Sequence, residues 1–335
     1  MVHRLNVFPS DVEHFIDEWE SEVPIIEVQT SGSTGTPKKM WVEKEKMKAS
    51  ARMTCRFLGL REGDTALLCM PVAYIAGKMV VVRAITHHLR LYASVPSGHP
   101  LQNLDFTPDF AAMVPSQVFN STTVRKEFEL LLKIRHLIIG GGSVSPEIES
   151  RIKDAPNAIW STYGMTETLS HIALRKLNGK DASSWYTPLP GVTLSESEEH
   201  CLRISAPHVC DDLIETNDYV EFNRDGGFRI IGRKDNTICS GGVKIQIEKV
   251  ENLLNKYITI PFAITAVPDA KFGEAVTLVF QENAADTEML IRICRNNLPA
   301  HWIPKHYLPF ESIPLTPTGK PARKTIKEQA CRMCE

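Results

Sequence analysis

Short runs of apolar, β-prone residues alternate along the first half of the chain with segments in which apolar residues recur at helical spacing. The runs are short and bounded by polar residues, as expected for strands that are buried on both faces. They occupy residues 25–28, 66–70, 89–93, 111–114, 136–139 and 158–161. Helical spacing is clearest over residues 44–58 and 123–133. Because strands that alternate with helices form βαβ units, this order predicts an α/β architecture with a largely parallel sheet.

The pattern changes twice in the second half of the chain. From about Thr187 it favours short strands and turns, with a hairpin at 223–233 around an Asp-Gly-Gly turn. After Asp235 a new α+β pattern begins, with predicted helices at 247–257 and 287–297 and predicted strands at 262–267, 275–281 and 307–313. At roughly 150 residues per domain, the 335 residues allow two domains. We predict an N-terminal domain of residues 1–234 and a C-terminal domain of residues 235–335.

Composition favours small-molecule partners. The chain is 43% hydrophobic and 23% charged with a formal net charge of −2, so we expect neither disorder nor the positive field of a nucleic-acid-binding protein. Charges interrupt the first 20 residues, and the longest apolar stretch, 73–85, is too short to span a bilayer. The eight cysteines are scattered with a single CxxC at the C-terminus, which predicts reduced thiols that bind no metal. We expect a cytoplasmic protein with no nucleic-acid partner and no membrane insertion.

Residues 29–39 read QTSGSTGTPKK. They follow a predicted strand and precede the helix-compatible stretch 40–56. Hydroxyl donors, two glycines and Lys38 would suit phosphate oxygens at the start of a helix, although a Walker A motif cannot be fitted. Composition alone slightly favours a flexible linker.

A second polar segment, STYGMTET at 161–168, follows the predicted strand 158–161. Tyr163 could stack on a base, Thr166 could donate to a phosphate, and Glu167 could hold Mg²⁺ with water and phosphate oxygens. The alternative is a polar turn in which Thr166 caps a helix.

Four segments in fixed order carry a resemblance to a known family: TSGSTGTPKK, STYGMTETLS, GGFRIIGRKDN with SGGVKIQIEKVE, and PLTPTGKPAR. Together they resemble the adenylate-forming superfamily, which includes acyl-CoA synthetases, peptide-synthetase adenylation domains and luciferase. The resemblance implies a large N-terminal α/β domain, a hinge at Asp235 and a small mobile α+β C-terminal domain. Only 29 residues precede Thr30, so the large domain is expected to be truncated in its first subdomain. Exposed apolar surface left there would favour a partner or a homodimer.

The resemblance also implies roles for individual residues. The residues implied to bind ATP or AMP are Thr30, Ser31, Gly32, Ser33, Thr34, Gly35, Lys38, Gly140, Gly141, Gly142, Tyr163, Gly164, Asp218 and Arg233. The implied catalytic residues are Lys320, Thr166 and Glu167, with Glu167 holding Mg²⁺. The implied CoA-binding loop comprises Ser240, Gly241, Gly242 and Lys244. In the implied reaction a carboxylate and ATP give an acyl-adenylate and pyrophosphate, and the acyl group is then transferred to CoA.

The stretch MPVAYIAGKMVVVRAI (70–85) resembles the segment that forms the acyl pocket in this superfamily. Arg83 follows Ala76-Gly77 at the spacing seen in o-succinylbenzoate–CoA ligases of menaquinone biosynthesis, where a guanidinium fork suits a second carboxylate. The other residues expected near the acid are Lys78, Tyr74, Ser170 and His171. Arg83 could instead form an ordinary ion pair, and His171 could be a packed core histidine.

Three alternatives stay open on the sequence alone. The chain could be a CoA ligase for another aryl or acyl acid, a catalytically silent nucleotide-binding relative, or a ligase that uses a carrier protein instead of CoA. Intact Lys320, Glu167 and Asp218 weigh against a silent relative. Two departures are visible: Asn217 stands where the superfamily usually has glycine, and Tyr74 stands where it often has histidine.

Overall fold

The computed structural model describes residues 2–29, 39–282, 286–316 and 321–334. Within these ranges the chain forms nine α-helices, nineteen β-strands and two 3₁₀ turns. The helices are α1 (Ser10–Glu20), α2 (Lys44–Leu58), α3 (Ile75–Thr86), α4 (Pro115–Thr123), α5 (Arg125–Leu131), α6 (Pro146–Ile152), α7 (Ile247–Leu254), α8 (Thr287–Asn297) and α9 (Arg323–Cys334). The strands are β1 (His3–Arg4), β2 (Ile25–Gln29), β3 (Lys39–Glu43), β4 (Thr65–Leu68), β5 (Arg90–Ala93), β6 (Phe110–Met113), β7 (His136–Ile139), β8 (Ala158–Gly164), β9 (His171–Lys176), β10 (Thr187–Pro188), β11 (Thr193–Glu196), β12 (Cys201–Ser205), β13 (Ile214–Phe222), β14 (Phe228–Arg233), β15 (Thr237–Ser240), β16 (Val243–Gln246), β17 (Phe262–Asp269), β18 (Gly273–Gln281) and β19 (His306–Phe310).

Eight strands form the central sheet, in the spatial order β1-β5-β4-β6-β7-β8-β9-β10. The first six run parallel, and β9 and β10 continue the sheet antiparallel at one edge. Parallel neighbours need a crossover connection, and α3 provides it between β4 and β5. The predicted α/β architecture with a largely parallel sheet is confirmed.

Both faces of the central sheet are buried. Ala66 and Leu68 of β4 belong to one apolar core, and Leu67 with the following Cys69 belongs to another. Helices α1, α2 and α3 complete the first core, while α4, α5 and α6 complete the second. Alternate side chains of a strand point to opposite faces, so a strand covered on both faces is apolar at every position.

A second sheet, formed by the antiparallel strands β11 to β14, packs on the first core. Its β13–β14 pair is the predicted hairpin at 223–233. The third sheet has the order β16-β15-β18-β17, with β19 parallel to β18. Helices α7 and α8 cover one of its faces and α9 covers the other. The fully buried apolar side chains of the first two cores end at Phe228, and those of this region begin at Ile238. This separation supports the domain boundary, which stays a prediction.

Strand β2 corrects one expectation about the first motif. It pairs antiparallel with β3, Ile26 opposite Val42 and Gln29 opposite Lys39. Residues 30–38, which lie outside the described ranges, therefore connect two strands of a hairpin, not a strand and a helix. The following helix, α2, begins at Lys44. The predicted helix at 123–133 is confirmed as α5, which is shorter at both ends and is separated from α4 by Val124, whose backbone is extended.

Some apolar side chains lie on the surface. Val7, Val95 and Trp41 are 91%, 74% and 62% exposed, and the expected homodimer stays a prediction. None of the described helices combines the length and the apolar character that a bilayer crossing requires.

Helix α3 owes its position to a glycine. A Cβ atom on Gly77 would lie 2.3 Å from the carbonyl oxygen of Pro71 and 2.9 Å from that of Met70. Only glycine therefore allows the helix to pack so closely against the backbone that follows β4. This contact fixes the start of α3, whose last turn carries Arg83.

Replacing Gly77 by alanine is expected to lower the free energy of unfolding by about 2 kcal/mol, because overpacking against backbone is destabilising. Alanine has the higher helix propensity by about 1 kcal/mol. The gain in helix propensity therefore opposes the loss from overpacking. Denaturant titration of Gly77→Ala measures the difference. Ala76→Gly, at the exposed neighbouring position, is the control and should lose only the propensity difference. A stabilised Gly77→Ala variant would contradict the contact.

Candidate active site

A cleft of about 2490 Å³ lies at the carboxyl ends of the parallel strands. Strands β4, β6, β7 and β8 lead into it through Met70, Val114, Gly140 and Gly164. Ligands of open parallel sheets bind at this edge. The volume exceeds the roughly 300–1000 Å³ of a site for one small ligand, so the cleft has room for more than one substrate.

One end of the cleft is formed by Asp218, Arg233 and Tyr163. Asp218 and Arg233 are opposite each other in the β13–β14 pair. The buried Asp218 carboxylate accepts a hydrogen bond of 2.8 Å from Arg233 Nη1 and one of 2.6 Å from the Tyr163 hydroxyl. Burial, and then the negative charge of Asp218, raises the pKa of Tyr163 well above its ordinary value. The phenol therefore stays protonated, and the predicted ribose-binding carboxylate is held in place before any ligand arrives.

Three glycines after β7 line the cleft beside this end. A Cβ atom on Gly140 would lie 2.5 Å from the Thr162 Oγ1, and Gly141 has a left-handed φ of 80°. The run Gly140 to Gly142 therefore presents backbone to the cleft. A flat ligand such as adenine can approach a backbone more closely than it can approach side chains.

A tight turn between β8 and β9 holds the second predicted motif. A Cβ atom on Gly164 would lie 2.2 Å from the carbonyl oxygen of Ser170, so glycine is required there. The buried Thr168 hydroxyl donates to that carbonyl at 2.7 Å and accepts from the Met165 N–H at 3.0 Å. Because the turn leads directly into β9, the alternative in which Thr166 caps a helix is wrong.

Thr166 and Glu167 lie in this turn and line the cleft. Glu167 is exposed, and no described residue forms an ion pair with it. The described residues include no group of three or more His, Cys, Asp or Glu side chains that could hold a metal by themselves. The predicted Mg²⁺ would therefore be held by Glu167 together with phosphate oxygens and water, which is a common arrangement for Mg²⁺. The residues present fit such an ion.

The other end of the cleft is formed around Arg83. Its side chain is 2% exposed and lines the cleft. Its Nη2 donates to Ser170 Oγ at 2.6 Å and to Thr54 Oγ1 at 3.2 Å. Its Nε is buried without a hydrogen-bond partner, and no carboxylate of the described residues pairs with the guanidinium. The alternative of an ordinary ion pair is therefore wrong for the described part of the chain. Burial lowers the pKa of Arg83 to about 10, which leaves it charged at neutral pH.

Thr54 fixes the protonation of its neighbours. Its hydroxyl lies 3.2 Å from the Ser50 carbonyl, which can only accept, 3.2 Å from Arg83 Nη2 and 3.0 Å from His171 Nε2. A hydroxyl has one proton and two acceptor positions, so Thr54 donates to Ser50 and accepts from Arg83 and His171. His171 Nδ1 is then an acceptor for the Ser170 hydroxyl at 3.3 Å. Burial, and then the charge of Arg83, lowers the pKa of His171 well below 6.5, so the ring is neutral.

Tyr74 and Lys78 were both expected near the acid, and the structure separates them. Tyr74 precedes α3 and lines the cleft. The Lys78 ammonium lies 4.2 Å from the ring centroid of Phe15 and 3.7 Å from the Glu18 carboxylate. Lys78 therefore faces α1 and does not line the cleft, and its predicted role in acid binding is corrected to an ion pair with α1.

Part of the cleft wall comes from the C-terminal region. Lys320 lies outside the described residues, but Leu315 and Pro321 on either side of 317–320 form an antiparallel bridge and line the cleft. Arg323 holds the start of α9 to α7 through two hydrogen bonds of 2.6 Å to the Glu251 carboxylate. Both ends of the segment that contains Lys320 therefore lie at the cleft wall.

The predicted CoA-binding loop is the turn of the β15–β16 hairpin. Gly241 and Gly242 have φ values of 57° and 80°, as a two-residue turn with both residues in the left-handed region requires. Ser240 and Lys244 flank them. None of these described residues lines the cleft, and their role stays a prediction.

The AMP-binding enzyme family matches residues 17–198, which is more than half of the chain. The chain belongs to the AMP-binding enzyme family. The 2-succinylbenzoate–CoA ligase of Listeria monocytogenes is 25% identical over 342 residues, which cover 94% of this chain and 72% of that protein. The resemblance to adenylate-forming enzymes is confirmed.

Two solved structures resemble this AMP-binding enzyme. The acyl-CoA synthetase (AMP-forming)/AMP-acid ligase II-like protein from Dyadobacter fermentans is 34% identical with a TM-score of 0.65, covering 97% of this chain and 95% of that chain. The o-succinylbenzoate coenzyme A synthetase from Bacillus subtilis, in complex with ATP and magnesium ion, is 19% identical with a TM-score of 0.73, covering 89% and 68%. At that identity the second likeness concerns the fold.

Sequence reasoning missed two side chains that organise the cleft of this AMP-binding enzyme. Thr54 is fully buried between Arg83 and His171, and Gln117 donates to the carbonyls of Cys69 and Ser97 at 3.0 and 2.9 Å. Each lies in a helix that also contains other polar residues. The helical spacing of apolar residues does not show which of the polar side chains points inward at a functional site.

The acid side of the pH–stability curve should report on His171. In the unfolded chain His171 binds a proton below about pH 6.5, whereas the buried ring does not, so acid favours unfolding. Native stability should therefore fall by about 1.4 kcal/mol per pH unit from this residue below pH 6.5, and it should not change on this account above about pH 7.5. His171→Gln removes the titrating group, and denaturant titrations at pH 7.5, 6.5 and 5.5 should show a shallower fall. The exposed His14→Gln is the control, and equal slopes in all three proteins would contradict the assignment.

Proposed function

We propose that this AMP-binding enzyme is an AMP-forming acid–CoA ligase whose acid is 2-succinylbenzoate. In the first half-reaction a carboxylate oxygen of the acid attacks the α-phosphorus of ATP, and pyrophosphate leaves. In the second, the sulfur of CoA attacks the acyl carbonyl carbon, and AMP leaves with the bonding electron pair. The product is 2-succinylbenzoyl-CoA, an intermediate of menaquinone biosynthesis. The name of the Listeria monocytogenes relative supports this acid.

The observation that carries the choice of a diacid is the buried guanidinium of Arg83, which pairs with no carboxylate of the described residues. A buried charge without a counter-ion is unfavourable, and a bound carboxylate would remove that cost. The planar fork of arginine binds carboxylates through two hydrogen bonds. Ser170 and Thr54 already hold Nη2, so the remaining N–H groups are available to the second carboxylate of the substrate. Tyr74 would border the same pocket.

The nucleotide would bind at the opposite end. Asp218 would accept hydrogen bonds from the ribose hydroxyls, and Gly140 to Gly142 would lie against adenine with Tyr163 beside it. Thr166 would donate to a phosphate oxygen. Mg²⁺ held by Glu167 would neutralise part of the phosphate charge.

The main obstacle to the first half-reaction is repulsion between two anions, the carboxylate and the triphosphate. Hydroxyl and backbone donors of residues 30–38 and the ammonium of Lys320 would reduce it by positioning and by charge. We propose that the C-terminal region, residues 235–335, turns about Asp235 between the half-reactions. Lys320 would face the cleft in the first, and the loop Ser240 to Lys244 would meet CoA in the second.

A second candidate follows from the relative from Dyadobacter fermentans, whose name gives an acyl-CoA synthetase without a specified acid. The experiment that separates the two is ATP–pyrophosphate exchange with 2-succinylbenzoate, benzoate and a fatty acid, followed by the product mass with CoA present. A site built around a charged partner should reject an acid that lacks it by at least about a hundredfold. Equal exchange with benzoate and 2-succinylbenzoate would favour the second candidate.

Arg83→Met is expected to raise the KM for 2-succinylbenzoate by about a hundredfold, because one partner of a buried charge pair is lost. The KM values for ATP and for benzoate should change by less than about threefold, since ATP would bind elsewhere in the cleft and benzoate has no second carboxylate for Arg83. Benzoate is therefore an internal test of folding. Arg90→Met, at an exposed position outside the cleft, is the matched control. A parallel loss for both acids would argue against a carboxylate site.

Lys320→Ala is expected to lower pyrophosphate exchange by about a thousandfold, because a charge that stabilises the transition state is removed. Thioester formation from a supplied acyl-adenylate should stay within about threefold, since that step no longer involves pyrophosphate. Lys324→Ala, an exposed lysine of α9, is the matched control. Near-normal exchange in Lys320→Ala would overturn the catalytic role.

A further inference from the structure

One short turn connects the two separately packed regions of the chain. Residues Lys234–Asn236 form a single 3₁₀ turn between β14 and β15. The last buried apolar residue of the N-terminal cores along the chain is Phe228, and the first of the C-terminal cores is Ile238. A change of orientation between two packed bodies is absorbed by the few residues that connect them. Contacts of this turn therefore decide how freely the regions can turn.

The middle residue of the turn, Asp235, is held by two groups of the N-terminal region. Asn217 Nδ2 donates to both of its carboxylate oxygens, at 2.9 and 3.2 Å. Arg233 Nη2 donates to Oδ2 at 2.9 Å, while its Nη1 binds Asp218. The carboxylate is thus connected to β13 through Asn217 and to the nucleotide end of the cleft through Arg233.

The other two residues of the turn divide between the regions. Lys234 forms an ion pair with Glu199, and Asn236 donates to Glu248 on α7. The Lys234–Glu199 pair is exposed, and such pairs add little stability and weaken with salt. The Asn217 amide is uncharged, so its bond to Asp235 should be less sensitive to salt. The hydrogen bonds between Asn217 and Asp235 should therefore continue to hold the turn to β13 at high ionic strength.

We propose that Asn217 is a positioning residue that fixes Asp235 to β13 and thereby holds the junction in one orientation. Asn217 is exposed on β13, and its amide spans the carboxylate of Asp235. Alanine at this position would leave the Asp235 carboxylate with Arg233 as its side-chain partner among the described residues. The consequence for catalysis rests on the proposed function, because it requires that the two half-reactions use different orientations.

The first test measures hydrogen–deuterium exchange of residues 233–240 without substrates, at 0.5 M salt. Asn217→Ala should exchange about fivefold faster there, the factor that corresponds to losing about 1 kcal/mol. Asn217→Asp should exchange faster still, because two carboxylates then face each other. The double variant Asn217→Asp with Asp235→Asn restores an amide–carboxylate bond and should recover most of the protection.

The matched control is Glu221→Ala, which removes an exposed contact between the same two strands, the pair Glu221–Arg229. It should leave exchange at the junction unchanged. Unchanged exchange in Asn217→Ala, or no recovery in the double variant, would overturn the proposal whatever the activity of the enzyme.

The second test compares the rate of pyrophosphate exchange with the rate of thioester formation from a supplied acyl-adenylate. Asn217→Ala should change the ratio of these rates by at least about threefold, because holding one orientation favours one half-reaction over the other. A purely structural role would lower both rates together. Equal losses of the two rates would therefore overturn the positioning role, even if hydrogen–deuterium exchange at the junction increases. If the native enzyme showed neither activity with any acid, that result would count against the proposed function alone.

Discussion

Burying the guanidinium of Arg83 removes a full charge from water, and the arrangement of the cleft depends on how that charge is satisfied. The hydroxyl oxygens of Thr54 and Ser170 accept hydrogen bonds from Nη2 and so replace part of the lost water, but Nε has no hydrogen-bond partner among the described residues. A charge in this state destabilises the ligand-free protein. Because native proteins are only marginally stable, such a cost is tolerated where a ligand supplies the missing anion. The neutral state of His171 follows from the same burial, because a second positive charge beside Arg83 would be costly.

The position of that charge is set by backbone contacts at two glycines. Gly77 allows α3 to approach the backbone after β4, and this contact places Arg83 at the cleft. Gly164 allows the end of β8 to approach Ser170, which places the hydroxyl that Arg83 contacts. Side chains at either position would separate elements that must touch. Close approaches of backbone at these two glycines therefore define the part of the cleft around Arg83, and they place its polar side chains.

Much of the fold could be predicted from the sequence because its strands are buried on both faces, and continuous apolar runs mark such strands. Predicted and observed bounds agree for β7, α2 and α8. The position of Lys78 could have been predicted from helix geometry. Residues five apart on a helix are turned by about 140° from each other, so Lys78 and Arg83 could not both face one pocket. Thr54 gave no such signal, since its role depends on contacts with residues 29 and 117 positions away. The β2–β3 pairing was missed because β3 is charged at both ends and reads as the start of a helix.

One continuous segment carries groups for both ends of the cleft. Tyr163 near the end of β8 contacts Asp218, and the turn that follows presents Glu167. Ser170, which directly precedes β9, contacts Arg83. The Thr168 hydroxyl holds this turn closed. Because so few residues separate Tyr163 from Ser170, the spacing between the proposed nucleotide site and the proposed acid site would be set locally, within one strand–turn–strand unit. The proposed rotation of the C-terminal region would then change which groups face the reacting atoms without changing the distance between the two substrates. That separation of roles is what a ligase with two successive half-reactions requires, since the acyl-adenylate must stay in place while its surroundings are exchanged.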